Sequence, residues 1–288
     1  MRQIVRFSSV AVALTLFALT ACRQVPLPST TEVVMAAVPS LPSDPGDAAW
    51  QSAPEFLAKL QPQDIVEPRL MKPSTAELRV RAMQNGKEMA VRLEWIDATK
   101  NDVPGPAGFY DACAIQVLSK VEPSLPAPQM GEPGRPVEIT YWNAGWQATV
   151  EGRGDSIKDI YPNASIDHYP FEAPSLQKGS QAQREMAARY APARALGNAM
   201  SGPRQTPVQD LIAEGPGTLT PAKVTTSEGK GRRTETGWSV MIKRRMPQGI
   251  SPQVRSEIAF AVWEGSQQEV GARKMRTVWI PLSMQVAQ

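Results

Sequence analysis

Met130 lies in the run Pro128-Gln129-Met130-Gly131-Glu132-Pro133, at the end of a proline-rich loop. The loop joins two strand-like runs, Asp111 to Val117 and Val137 to Trp142. A thioether at the tip of a stiff loop between two strands is well placed to ligate a haem iron. As a neutral soft donor it favours the reduced metal. Pro128 and Pro133 restrict the backbone, while Gly131 and Gly134 permit tight turns. The plainer role for one of 12 methionines is to fill an apolar gap. His168, the single histidine, sits in Asp167-His168-Tyr169-Pro170. It is either a nitrogen ligand or a loop imidazole satisfied by a carboxylate or water.

Other chemistries are excluded by what the chain lacks. Neither Cys22 nor Cys113 belongs to a Cys-x-x-Cys-His sequence, so covalent c-type haem is ruled out. One histidine rules out a bis-histidine or His-rich zinc site. There is no Gly-x-Ser-x-Gly elbow, no phosphate-binding glycine loop and no cysteine-histidine pair at nucleophilic spacing. Asp97 and Asp111 are expected to cap turns or bind backbone amides. Cys113, within an apolar run, reads as a small buried hydrophobe.

The N-terminus reads as a targeting segment, residues 1–21. Arg2 and Arg6 precede an apolar stretch from Val10 to Leu19 that is too short to span a bilayer. It ends Leu19-Thr20-Ala21-Cys22, a bacterial lipobox pattern that makes Cys22 the expected lipidation site. Export would lower the formal charge from +3 to about +1 by removing Arg2 and Arg6, too little to suggest a nucleic-acid partner. Residues 22–43 read as a flexible tether, and 44–288 as one folded domain.

The elements that must position Met130 follow from alternation. Leu78, Val80 and Ala82, then Met89, Val91, Leu93 and Trp95, alternate with charged or small residues around Asn85-Gly86. This pattern predicts a hairpin. Trp238 to Ile242, Ile258 to Trp263 and Val278 to Leu282 read as further strands. Gln181 to Asn198 reads as helical with an interruption at Pro192, inside an insertion of about 162–207. The expected fold is all-β: an antiparallel β-sandwich, immunoglobulin-like or carbohydrate-binding-module-like, with a partly helical insertion.

Several segments occur in a recognisable order. They are Asp47-Ala48-Ala49-Trp50, Leu93 to Thr99, Phe109-Tyr110-Asp111-Ala112, the Met130 loop, Glu214 to Thr220, Gly237 to Val240, Ala261 to Gly265 and Gly271 to Lys274. In this the chain resembles the haem b-binding gamma subunits of ethylbenzene dehydrogenase, dimethylsulfide dehydrogenase, and selenate, chlorate and nitrite oxidoreductase-type complexes. The resemblance implies a b-type haem at one end of the sandwich with methionine and lysine as axial ligands. Met130 matches the methionine. Lys274 fits the lysine position, with Lys223, Lys230 and His168 as rivals. A surface role beside Arg273 and Arg276 is the plain alternative for Lys274.

The resulting expectation is a non-catalytic electron-transfer subunit, lipid-anchored on the periplasmic side of the cell envelope. Its expected partners are iron-sulfur and molybdopterin subunits and a soluble cytochrome or other redox partner. The alternative is a haem-free carbohydrate- or ligand-binding lipoprotein, with a stacking platform drawn from Trp142, Trp146, Trp238, Trp263 and Trp279.

Overall fold

The computed structural model describes residues 31–286 apart from 104, 106–107, 155–156, 166–178, 191, 197 and 199–203. The signal segment, Cys22 and His168 lie outside the described residues. The strands β1 (Val33–Ala37), β2 (Glu55–Lys59), β3 (Gln61–Pro62), β4 (Glu77–Gln84) and β5 (Glu88–Ile96) come first. They are followed by β6 (Ala112–Leu118), β7 (Val137–Asn143), β8 (Val208–Ala213) and β9 (Thr220–Pro221). Last come β10 (Glu228–Arg233), β11 (Gly237–Arg245), β12 (Ser256–Trp263), β13 (Met275–Arg276) and β14 (Ile280–Met284).

All fourteen join one hydrogen-bonded sheet, whose main path is β10-β11-β5-β4-β1-β14-β12-β6-β7-β8-β9. The Asn85-Gly86 hairpin forms as the alternation predicts, with Gln84 opposite Met89 and Arg79 opposite Glu94. The expected all-β fold forms with one local departure from antiparallel pairing. The pairing is antiparallel except at β1, which runs parallel to both β4 and β14. Its position also corrects the proposed tether, because Val33 to Ala37 lies inside residues 22–43 yet forms a buried strand. By filling the gap between β4 and β14 it removes two open sheet edges. The fold therefore includes residues 33–37, ahead of Asp44.

The sheet folds over on itself about β1 and β14, giving a sandwich. Its inner layer holds Leu78, Val80, Val91 and Leu93 from one half and Cys113, Ile115, Trp142 and Val262 from the other. Trp142 packs edge-on against Trp95 and Trp238, with ring centroids 6.4 and 5.2 Å away. Gly231 of β10 faces this indole so closely that any side chain there would collide with it. Burial drives the Cys113 thiol well above its usual pKa, which fits an inert core residue.

Helices are short. α1 (Ala144–Ala148) starts at Asn143, whose side chain accepts from the Trp146 amide. After α2 (Ile157–Ile160), α3 (Gln181–Tyr190) stops before Pro192, and α4 (Pro192–Ala195) begins there. Proline is tolerated at a first helical position because it has no N–H to leave unpaired.

Candidate functional site

A cavity of about 530 Å³ opens on the outer face of the β12-β6-β7-β8 half of the sandwich. Alternation sends one set of side chains from these strands into the core and the other set outward. The outward set includes Ala114 of β6 and Ala261 of β12, whose small side chains leave depth above the sheet. Ile139 and Leu211 extend the apolar floor, and Tyr141, Trp146 and Trp263 form an aromatic wall. Tyr141 meets Trp146 and Trp263 edge-on, with centroids 5.4 and 5.3 Å away. Burial pushes the Tyr141 hydroxyl up to about 12, so it stays neutral. The volume and apolar lining suit a cofactor-sized ligand.

Met130 enters this cavity from a braced loop. Trp279 Nε1 donates to Pro126 O at 2.7 Å, and Gln116 Nε2 donates to Pro128 O at 3.1 Å. The Gly215 amide donates to Met130 O at 2.8 Å, and Arg135 bonds Glu132 at 2.6 Å. Met130 itself has φ 68°, a left-handed conformation that a side-chain-bearing residue adopts at a cost of about 1–3 kcal/mol. Gly131 follows at φ 80°, where an added Cβ would lie 2.9 Å from Arg135 O and 3.0 Å from Ala213 O. The backbone is thus held in an unfavourable shape that aims one thioether at the cavity.

Lys274 reaches the same point from residues distant in the chain. Its Nζ lies 3.9 Å from Met130 Sδ, across 144 residues of sequence. Three contacts hold its segment: Trp263 Nε1 to Gly271 O at 3.0 Å, Gln63 Nε2 to Ala272 O at 3.0 Å, and the Gln63 amide to Lys274 O at 2.9 Å. The amine also lies 5.2 Å from the centre of the Trp263 ring. Although Lys274 is only partly buried as a residue, desolvation of the amine lowers its pKa to about 8, with Arg276 adding to the shift. About a tenth of the amine is therefore uncharged at pH 7, the form that a metal donor requires.

The spacing of the pair suits a metal held between sulfur and nitrogen. Typical metal–sulfur and metal–nitrogen bonds sum to about 4.3 Å, so the two atoms need part by only a few tenths of an ångström. Arg276 supplies a second fitting feature. It lines the cavity, and its Nε and Nη1 are buried without a hydrogen-bond partner among the described residues. Its nearest carboxylate, Asp64, is 3.9 Å from Nη2. A cofactor bearing a carboxylate would satisfy these donors. The residues present fit a haem.

Neither rival lysine reaches the cavity. Lys230 pairs with Asp44 at 2.7 Å, and Lys223 is exposed. The proposed sugar platform also fails for Trp142 and Trp238, which are buried in the core at 0% and 3% exposure. Trp263 is a cavity wall and Trp279 a brace for the methionine loop. Asp111 binds the Asn101 and Gly265 amides and the Trp238 indole, and Asp97 binds the Thr99 amide, as expected of turn caps. Sequence reasoning missed Gln63, Tyr141, Arg276 and the alanine floor. The available signal was small residues at outward strand positions, Ala114, Ala259 and Ala261.

A β-sandwich that sets a thioether and an amine facing each other in an apolar cavity has the features of a cofactor-holding protein. The chain belongs to the ethylbenzene dehydrogenase family, whose sequence model matches residues 47–275. A Haloferax mediterranei protein described as a respiratory nitrate reductase heme subunit is 23% identical over 245 residues, covering 83% of this chain and 67% of the relative. Two structures of a family 9 carbohydrate-binding module from Caldicellulosiruptor kristjanssonii, with cellotriose and with glucose, align at 9% identity. Their TM-scores are 0.42 and 0.37, with 90% and 88% of this chain and 95% and 97% of theirs covered.

Proposed function

We propose that this chain is the haem b-bearing electron-transfer subunit of a molybdenum oxidoreductase-type respiratory complex, with Met130 and Lys274 as axial ligands. The observation that carries the reading is the Met130–Lys274 approach of 3.9 Å inside an apolar cavity. Membership of the ethylbenzene dehydrogenase family and similarity to a respiratory nitrate reductase heme subunit support it independently. Bound there, haem supplies one-electron chemistry at iron.

The protein's part is to hold and insulate. Met130 offers a neutral thioether that favours the reduced metal, and Lys274 offers an amine whose proton is already weakly held. The aromatic wall and alanine floor give the cavity an apolar lining that disfavours water beside the cofactor. Arg276 takes a carboxylate at its edge. Met130 and Lys274 would hold the haem as a one-electron carrier rather than as a substrate-binding centre.

The electron partners in this reading are iron-sulfur and molybdopterin subunits on one side and a soluble cytochrome or other redox protein on the other. The lipobox supports attachment through Cys22 on the periplasmic side. Among the described residues no helix is long and apolar enough to cross a membrane. The test is a reduced-minus-oxidised visible spectrum of the mature chain after haem reconstitution. A sharp low-spin b-type α-band is expected, and its absence would overturn the proposal.

A further inference from the structure

Three buried carboxylates meet at the ends of three strands, apart from the Met130–Lys274 cavity. Asp97 follows β5, Asp111 precedes β6 and Glu264 follows β12, and one oxygen from each lies within 4.8 Å of the others. That proximity lets all three oxygens reach one calcium ion at its usual bond length of about 2.4 Å.

Unmet hydrogen-bonding capacity points the same way. Asp97 is 2% exposed, and its Oδ2 has no donor among the described residues. One of its oxygens lies within 4.8 Å of an oxygen of Glu264, so two like charges are brought together away from water. The nearest cation, Arg233 Nη1, is 3.8 Å from Asp97 Oδ1 and makes no hydrogen bond. A fourth buried carboxylate, Glu269, accepts from the Glu264 amide. Negative charge therefore exceeds positive charge in a dry setting, which is costly without a counter-ion.

The neutral oxygens are also short of protons. Thr99 Oγ1 lies 2.7 Å from Asn101 Oδ1, 3.3 Å from Asp97 Oδ1 and 3.4 Å from Glu264 Oε1, yet has one hydrogen to share among them. Asp97, Thr99 and Asn101 present oxygens at alternate positions, the spacing of the first three ligands in a calcium loop. No sulfur or imidazole contributes to the cluster, so the donor set suits a hard cation. A polar cleft of about 290 Å³ lies beside the cluster, lined by Arg233, which donates to Asp97 O, and Trp238, which donates to Asp111.

We propose that Asp97, Asp111 and Glu264, with Thr99 and Asn101, bind a structural calcium ion that ties together the ends of β5, β6 and β12. The inference does not depend on haem. Its consequence for the cavity is positional: Glu264 adjoins the wall residue Trp263 and opens the segment that ends at Lys274.

Isothermal titration of the EDTA-treated mature chain with calcium chloride tests this directly, together with melting curves in calcium or EDTA. The expected result is saturable binding, and a Tm higher by about 5–10 °C at free calcium a hundredfold above Kd. Glu264→Gln should weaken binding at least tenfold and remove most of that rise. No binding heat and no Tm change in the unsubstituted chain at millimolar calcium would overturn the proposal. An Asp97→Asn variant that melts higher than the unsubstituted chain in EDTA, with calcium without effect on either, would identify a shared proton instead.

Discussion

Replacing Lys274 by leucine should stabilise the haem-free protein while removing a ligand from the haem-bound form. The buried amine titrates near 8 rather than its usual 10.5, a difference equivalent to about 3 kcal/mol of disfavoured charge. Because the cavity opens to solvent, the realised gain is set lower, at about 1–3 kcal/mol. The direction follows from proton linkage. Between about pH 8 and 10.5 the unfolded chain holds a proton on this lysine that the folded chain has released, so stability rises with pH across that window. Below pH 8 the folded protein carries the full cost of the buried charge. Lys274→Leu keeps most of the stem and removes that cost, raising Tm at pH 7 by about 2–8 °C and flattening the rise toward pH 10.5. Thermal melts of haem-free protein from pH 6 to 10 provide the assay. An unchanged or lower Tm at pH 7, with the same pH slope in both proteins, would refute the burial of this amine.

Gly131→Ala should cost about 1–3 kcal/mol in urea denaturation, because the left-handed backbone brings the new Cβ against two carbonyl oxygens. Ala261→Leu should block haem uptake in a reconstitution titration without lowering Tm, since the side chain grows into open cavity. Trp142→Ala should cost about 3–5 kcal/mol by chemical denaturation, because the indole is fully buried between Trp95 and Trp238.

Legibility in the sequence tracked the kind of pattern each part leaves. The β4–β5 hairpin was readable because Leu78 to Trp95 alternates around a turn that tolerates positive φ. The strand β1 was not, since Val33-Val34-Met35-Ala36-Ala37 is a short apolar run without alternation, set among proline, serine and threonine. Its partners β4 and β14 lie some 45 and 250 residues further on, a parallel pairing that no local signal encodes. Met130 announced itself through the prolines and glycines of its loop. Lys274 did not, because a lone lysine between two arginines has the composition of a surface turn. Only the family resemblance singled it out, and the fold then brought it to the methionine. The cavity was invisible for a simpler reason: it is made by side chains that Ala114 and Ala261 do not have. Arg276 reads as surface charge until β13 docks it beside Lys274.

The central claim is that one iron is held between Met130 and Lys274. Electron paramagnetic resonance of the haem-loaded ferric chain tests it most directly, comparing the unsubstituted protein with Met130→Ala and Lys274→Leu. The account predicts a single low-spin, six-coordinate signal in the unsubstituted protein and its conversion to a high-spin signal in each variant. An unaltered low-spin signal in either variant would contradict it.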